Sequence, residues 1–332
     1  MSKITLLDCT LRDGGYVNDW RFGRENMLRI TSGLNKAGVD HIEIGFLVDE
    51  KFDINRSKFE SVDQAEKLIP KSSSKSEYVL MIRPDWFSIS KLDQSDKIEN
   101  LRFAFHYKDF DLALDYADKA RNLGYKVFMN PVNITGYSLD EVNKISERLS
   151  NFGPSGVSIV DTFGSMQEKD LIDLHDIFDT NLDKSIALGV HLHENLSLTL
   201  SLAQKFLQIR DPNRDVIIDS SILGMGRIPG NLPTELIVNV LNNSFDKNYH
   251  LDQILSLADD PIKLIKEKLP WGYSPEFAVS AILKIHRSYP EYIVSDLKYE
   301  FSEAFEIMKK IYESGEGEFF SKEVVQSFIK SN

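Results

Sequence analysis

Thiols are almost absent: Cys9 is the one cysteine in 332 residues. A lone thiol forms no internal disulfide and cannot build a thiolate-rich structural zinc site, which takes four protein ligands. Cys9 lies inside an apolar run, where a thiol is ordinarily inert, so it is not read as a nucleophile. No apolar run reaches the roughly 18 residues of a membrane span. The start, Met1-Ser2-Lys3-Ile4-Thr5, lacks the apolar core of a signal peptide. Positive charge is in deficit, with 39 Lys and Arg against 51 Asp and Glu, a net charge of −12. The isoelectric point is about 5.1, which argues against nucleic acid or anionic membrane as the main partner. Together these absences predict a cytoplasmic protein.

What is present suits a large buried core: 42% of residues are hydrophobic and 27% charged. Short β-rich runs recur at 4–9, 41–46, 78–82, 101–105, 126–130, 156–161, 187–193 and 216–222. Between them lie stripes with helical spacing, such as Leu112, Ala113, Tyr116, Ala117 and Ala120, or Leu196, Leu200, Ala203, Phe206 and Leu207. Ser138-Leu139-Asp140-Glu141 reads as a helix entry, and Gly38 and Gly124 as helix ends. Eight strands alternating with helices predict an α/β chain folded as a (β/α)8 TIM barrel. The rival, an open doubly wound sheet, calls for G-x-G-x-x-G after its first strand; Gly14-Gly15-Tyr16-Val17 does not supply it. From Ser244 the strand signal fades, and positions such as Ile254, Ile262, Phe277, Phe305 and Met308 have helical spacing. The expected division is a catalytic barrel over 1–245 and a C-terminal helical extension over 246–332, packed on the barrel and available for homo-oligomer contacts. Ser72-Ser73-Ser74-Lys75 reads as a surface loop.

Barrel enzymes build their sites where strands end. In His191-Leu192-His193-Glu194-Asn195 the two imidazoles sit at i and i+2 of a strand, on one face and at the spacing that grips one divalent ion. Arg12 and Asp13 follow the first run and Glu43 lies in the second; Arg83 and His106 follow the third and fourth. Asn130, Asn133, Asp161, Thr162, Asn195 and, after the eighth run, Asn231 complete one polar rim. One carboxylate, Asp13, with His191 and His193 leaves open positions on an octahedral ion, which marks the metal as catalytic. Mn²⁺ is the first choice, then Mg²⁺ or Co²⁺, with Fe²⁺ a further alternative. A bidentate 2-oxo acid suits the open positions, the metal acting as a Lewis acid on its carbonyl. Arg12 is a fixed cation that either stabilises an enolate or pairs at the rim with Glu43 or Asp161.

These residues resemble a known family. Asp8-Cys9-Thr10-Leu11-Arg12-Asp13-Gly14, Ile42-Glu43-Ile44-Gly45, His191-x-His193-x-Asn195 and Gly226-x-x-x-Gly230-Asn231 are similar to the DRE-TIM metallolyases over roughly residues 4–280. That superfamily includes 4-hydroxy-2-oxovalerate aldolases, 3-hydroxy-3-methylglutaryl-CoA lyases and the isopropylmalate and homocitrate synthases. His193-Glu194-Asn195-Leu196-Ser197-Leu198, Asp161-Thr162-Phe163-Gly164-Ser165-Met166 and Trp271-Gly272-Tyr273-Ser274 resemble the aldolase branch. The resemblance implies Asp13, His191 and His193 as metal ligands, Arg12 as the enolate stabiliser and Thr162 at the pyruvyl carboxylate. It implies Tyr273 over the site, orienting substrate or assisting proton transfer, and His106 and Asn231 at the substrate. Where the aldolases carry a catalytic His three residues after the metal Asp, this chain has Tyr16. The base is then Tyr16, His106 or Glu43. The implied reaction joins pyruvate enolate to an aldehyde, or cleaves the product; the alternatives are a Claisen-type acyl-CoA synthase and a non-catalytic barrel. The resemblance also raises an acylating aldehyde dehydrogenase as a partner through the tail, which the diverged tail sequence speaks against.

Overall fold

The computed structural model describes residues 2–70, 75–227 and 229–329. Nine strands run in the order β1 (Ile4–Asp8), β2 (His41–Leu47), β3 (Lys58–Phe59), β4 (Glu77–Ile82), β5 (Asn100–Phe105), β6 (Lys126–Pro131), β7 (Gly156–Val160), β8 (Ala187–His191) and β9 (Val216–Ser220). All nine belong to one parallel sheet, in which the two-residue β3 pairs with β2 alone and β1 pairs with β9 on one side and with β2 on the other. That pairing closes the sheet: the fold is the expected (β/α)8 barrel. Each of the eight expected runs coincides with one of its strands. The short β3, which periodicity does not announce, lies beside β2.

Strands of such a sheet are covered on both faces, which is why β1, β2, β7, β8 and β9 are buried along their whole length. Alternate residues point into the barrel. Leu7, Val79, Phe128, Ala187 and Ile217, with Cys9, form an apolar plug. Two residues further along the same strands stand Asn130, on from Phe128, and Asp219, on from Ile217, and the interior turns polar.

Outside, helices lay apolar stripes on the strands. Met27, Ile30 and Leu34 of the helix Arg24–Ala37 are buried there, as are Ala113, Ala117 and Ala120 of Phe110–Asn122. Leu112 is the exception in its stripe and faces solvent. Ser138 and Glu141 cap the helix Leu139–Phe152 reciprocally, satisfying two amide donors. Gly45 has φ +148°, and a Cβ there would stand 2.0 Å from the Ser57 carbonyl oxygen. Only glycine allows this close pass, which coincides with a shift of register between Glu43 and Phe46.

The C-terminal region is helical, as expected, but it packs in two parts. Ile254, Leu257, Ile262 and Trp271 belong to the barrel's own core. A separate core of Ile285, Tyr289, Ile293, Ala304, Ile307, Met308, Ile311 and Val325 follows. Among the described residues no helix is long and apolar enough to cross a membrane. Residues 72–74 of the expected surface loop lie outside the described residues, as does Ile228 of the Gly226–Asn231 motif.

Candidate active site

A cavity opens at the C-terminal ends of the strands, lined by Arg12, Asp13, Tyr16, Arg83, Asn130, Thr162, His191, His193 and Arg227, with Phe46 and Met81 on its apolar side. Asp13, His191 and His193 offer ligand atoms that all lie within 4.8 Å of one another. His191 ends β8, and His193 continues the extended chain at φ −109°, ψ 148°, so the two rings stay on one side with centroids 4.9 Å apart.

Hydrogen bonds decide which nitrogens face the gap. The His193 Nδ1 lies 2.8 Å from the Asp161 carbonyl oxygen, which can only accept, so Nδ1 carries the proton. The His191 Nδ1 donates to Asp219 Oδ2 at 3.0 Å. Burial would raise the Asp219 carboxyl, but Arg102 and His191 outweigh it and hold it at about 2, an acceptor throughout the physiological range. Both Nε2 lone pairs are thereby turned toward Asp13, at 4.0 Å for His191 and 3.5 Å for His193. The His193 Nε2 is buried and makes no hydrogen bond. Such an orphaned acceptor beside a second imidazole and a carboxylate is what a divalent ion would satisfy, so the three residues fit the metal.

Asp13 is kept ionised and fixed. Burial would raise its pKa, but the Arg12 guanidinium pushes it well below the usual carboxylate range. Its Oδ2 accepts from Asn231 Nδ2 at 2.9 Å and from the Arg227 amide at 3.2 Å, while Arg12 Nη1 donates to Oδ1 at 2.6 Å. Gly226 leaves room for the Asn231 carboxamide: a Cβ there would lie 2.3 Å from its Nδ2.

Arg12 Nε donates to Glu43 at 2.6 Å, and Glu43 in turn accepts from Arg102, whose Nη2 donates to Asp219 at 2.6 Å. Asp13, Arg12, Glu43, Arg102, Asp219 and His191 therefore form a continuous hydrogen-bonded chain whose two ends, Asp13 and His191, face each other across 4.0 Å. Of the two rim partners expected for Arg12, Glu43 is present and Asp161 is not; Asp161 instead accepts from the Ser165 and Met166 amides. Glu43 is fully buried between the two guanidiniums and lies outside the cavity lining, a poor position for a base.

The Thr162 hydroxyl accepts from the Asn133 amide at 2.6 Å, which leaves its own proton to donate at the cavity wall. Tyr16 lines the cavity; its ring lies 4.7 Å from that of Trp20, and the Arg83 guanidinium interacts with it. His106 is carried past the rim into a neighbouring cavity with Arg83 and Asp85, as the chain turns into the short helix Tyr107–Asp109. Burial, then Arg83, lowers its pKa. Tyr273 is 62% exposed and is not part of the cavity lining. The tail reaches the site by other residues: Asn195 Nδ2 donates to the Phe277 carbonyl at 3.3 Å, and Trp271 Nε1 to that of Leu223 at 2.9 Å. Trp20 Nε1 donates to the Arg12 carbonyl at 2.7 Å, and Trp86 stacks under Arg83 at 4.6 Å.

Arg102 and Asp219 support the candidate site and are not singled out by the sequence reading. Their signal was a charged residue at an inward position of an otherwise apolar strand, in Asn100-Leu101-Arg102-Phe103 and Ile217-Ile218-Asp219.

The HMGL-like family model matches residues 100–260 of the chain. That stretch holds Arg102, Thr162, both imidazoles and Asp219. A 4-hydroxy-2-oxovalerate aldolase of Geobacillus genomosp. 3 is 27% identical over 285 residues, 82% of each chain. An oxaloacetate decarboxylase of Mycobacterium tuberculosis is 25% identical over 238 residues, 71% of this chain and 69% of that one. The HMG-CoA lyase of Bacillus subtilis superposes with a TM-score of 0.63 at 19% identity, over 84% of this chain and 97% of the lyase, a likeness of fold. Taken with the motifs at residues 8–14 and 191–195, these matches make the chain similar to the HMGL-like, or DRE-TIM, proteins over most of its length.

Proposed function

We propose that the protein is a divalent-metal-dependent carbon–carbon lyase that cleaves a 4-hydroxy-2-oxo acid into a pyruvate-type 2-oxo acid and an aldehyde, or runs the reverse addition. The observation that carries this reading is the orphaned, buried Nε2 of His193 facing Asp13 and His191, with the Arg12 guanidinium bonded to the same carboxylate.

Asp13, His191 and His193 would hold the ion, Mn²⁺ by preference, which supplies Lewis-acid polarisation of the substrate's keto group. Thr162, with its free proton, orients the carboxylate. Arg12 cannot lose its charge and is held at two points, by Asp13 and Glu43, so it is already in position when negative charge develops on the enolate oxygen. The Tyr16 hydroxyl oxygen accepts the proton of the 4-hydroxyl while passing its own phenolic proton to solvent, as the C3–C4 bond breaks; the electron pair passes into the enolate and the aldehyde leaves. Protonation at C3 then completes the 2-oxo acid. Asp219 and Asn231 act indirectly: they fix the His191 ring and the Asp13 carboxylate.

The oxaloacetate decarboxylase relative supports one neighbouring reading, in which carbon dioxide leaves in place of the aldehyde and the same enolate forms. The deciding experiment follows the methyl protons of pyruvate by NMR in D₂O with Mn²⁺, and again after EDTA. Metal-dependent exchange that disappears in Arg12→Gln is expected. Absence of exchange by the metal-loaded protein overturns the proposal. Parallel assays with 4-hydroxy-2-oxopentanoate and oxaloacetate separate the two readings.

A further inference from the structure

The interior arginines of this barrel are matched by carboxylates. Arg12 has Asp13 and Glu43, Arg102 has Glu43 and Asp219, and Arg214 has the Asp179 carboxylate and four backbone carbonyls besides. Two arginines at the mouth of the site break this pattern. Arg227 lines the cavity, and among the described residues no carboxylate lies within ion-pair distance of its guanidinium. Arg287, from the helical tail, has one distant partner, Glu291 at 3.8 Å. The Nε atoms of both are buried and make no hydrogen bond.

The side chain beside them supplies no counter-charge. The His286 Nε2 is 3.0 Å from Arg227 Nη2, and burial, then Arg227 and Arg287, hold that imidazole neutral, with a pKa of about 3. Burial, then Arg227, also brings Arg287 down to about 10. These two neighbouring cations, largely withdrawn from water, have between them a single long carboxylate contact, which is costly. Guanidiniums with free N–H groups are suited to bind carboxylate or phosphate oxygens.

We propose that Arg227 and Arg287 form a docking site for an anionic group, a carboxylate or a phosphate, carried by the aldehyde half of the substrate. The inference rests on the aldolase reading above and narrows it. The side of the site follows from Tyr16: it handles the proton of the 4-hydroxyl, and the Arg227 guanidinium lies 5.9 Å from its ring centroid. The 2-oxo acid half is already served by Thr162 and Arg12.

The test is pyruvate addition to matched aldehydes: glyceraldehyde against glyceraldehyde 3-phosphate, and butyraldehyde against succinic semialdehyde. The readout is the ratio of kcat/KM for the anionic aldehyde to that for its neutral partner. We expect a ratio of about 100 or more for at least one pair, the pair showing whether phosphate or carboxylate is preferred. It should fall at least tenfold in Arg227→Gln and Arg287→Gln and be largely kept in Arg287→Lys. A ratio near one in the natural protein, or an equal fall of both members of a pair in the variants, overturns the proposal. So does a rise in the KM for pyruvate with the ratio unchanged. Failure of the aldolase reading itself would show as no addition and no pyruvate proton exchange. Calorimetric titration of the same proteins with inorganic phosphate and with succinate then decides the anion site alone. Binding at least tenfold weaker in both Gln variants supports it, and equal or absent binding overturns it.

Discussion

Asp219 accepts the Nδ1 proton of His191 on the same carboxylate oxygen that receives Arg102 Nη2, at 3.0 and 2.6 Å. One buried carboxylate thus sets the tautomer of a metal-facing imidazole and anchors a cation of the barrel floor. Asp219→Asn removes the charge and leaves Arg102 half-neutralised. The expected result is Mn²⁺ affinity weaker by about 10–100-fold, read by EPR titration of free Mn²⁺. Unchanged affinity would remove Asp219 from the site's support.

Arg12 donates to two carboxylates through two different nitrogens, a span that a single ammonium cannot reproduce. In Arg12→Lys, pyruvate proton exchange should slow by about 10²–10³-fold, with Mn²⁺ affinity falling far less. Equal losses in both would mean that Arg12 serves only to hold Asp13.

Tyr16→Phe deletes one oxygen and keeps the ring against Trp20 and Phe46. Cleavage of 4-hydroxy-2-oxopentanoate should fall by about 10²-fold or more, with Mn²⁺ affinity and thermal stability retained. Full activity in this variant would assign the proton step to another group.

The barrel was legible because its strands are short β-rich runs broken by helical stripes, and the candidate metal site because Asp13 and the two imidazoles each lie in a recognisable short motif at a strand end. The charged chain behind it was not, since its members meet only once the barrel closes: Arg102 is 59 residues from Glu43 and 117 from Asp219. In sequence each is a lone charge in an apolar strand. His106 and Tyr273 show the converse case. Residue type and family position put both at the site, yet a turn after β5 carries one past the rim and the other stands in solvent. Arg287 pairs with a site it reaches only because the tail folds back over the barrel mouth, a contact no periodicity encodes.

Asp8 offers a test in the framework of the fold. It is buried, accepts from the Thr10 amide and the Thr234 hydroxyl, and burial pushes its pKa up to about 6 despite those bonds. The folded state therefore holds a proton that the unfolded chain has lost, so stability falls as pH rises from about 4 to 6. Above that window the ionised group costs about 3 kcal/mol at 1.36 kcal/mol per pKa unit. Asp8→Asn is expected to gain stability relative to the natural protein between pH 4 and pH 7, by up to that amount in urea unfolding. A difference independent of pH would show that Asp8 does not titrate in this range.

The sequence has three tryptophans, and each is fastened to a segment that carries the site. Trp20 holds the Arg12 carbonyl, Trp86 lies beneath Arg83, and Trp271 holds the Leu223 carbonyl just ahead of Arg227. The molecule consequently carries a built-in optical gauge. Loading the ion, seating an oxo acid or settling the tail each perturbs an indole, so these events can be followed by emission from the unlabelled protein and separated by replacing one indole at a time.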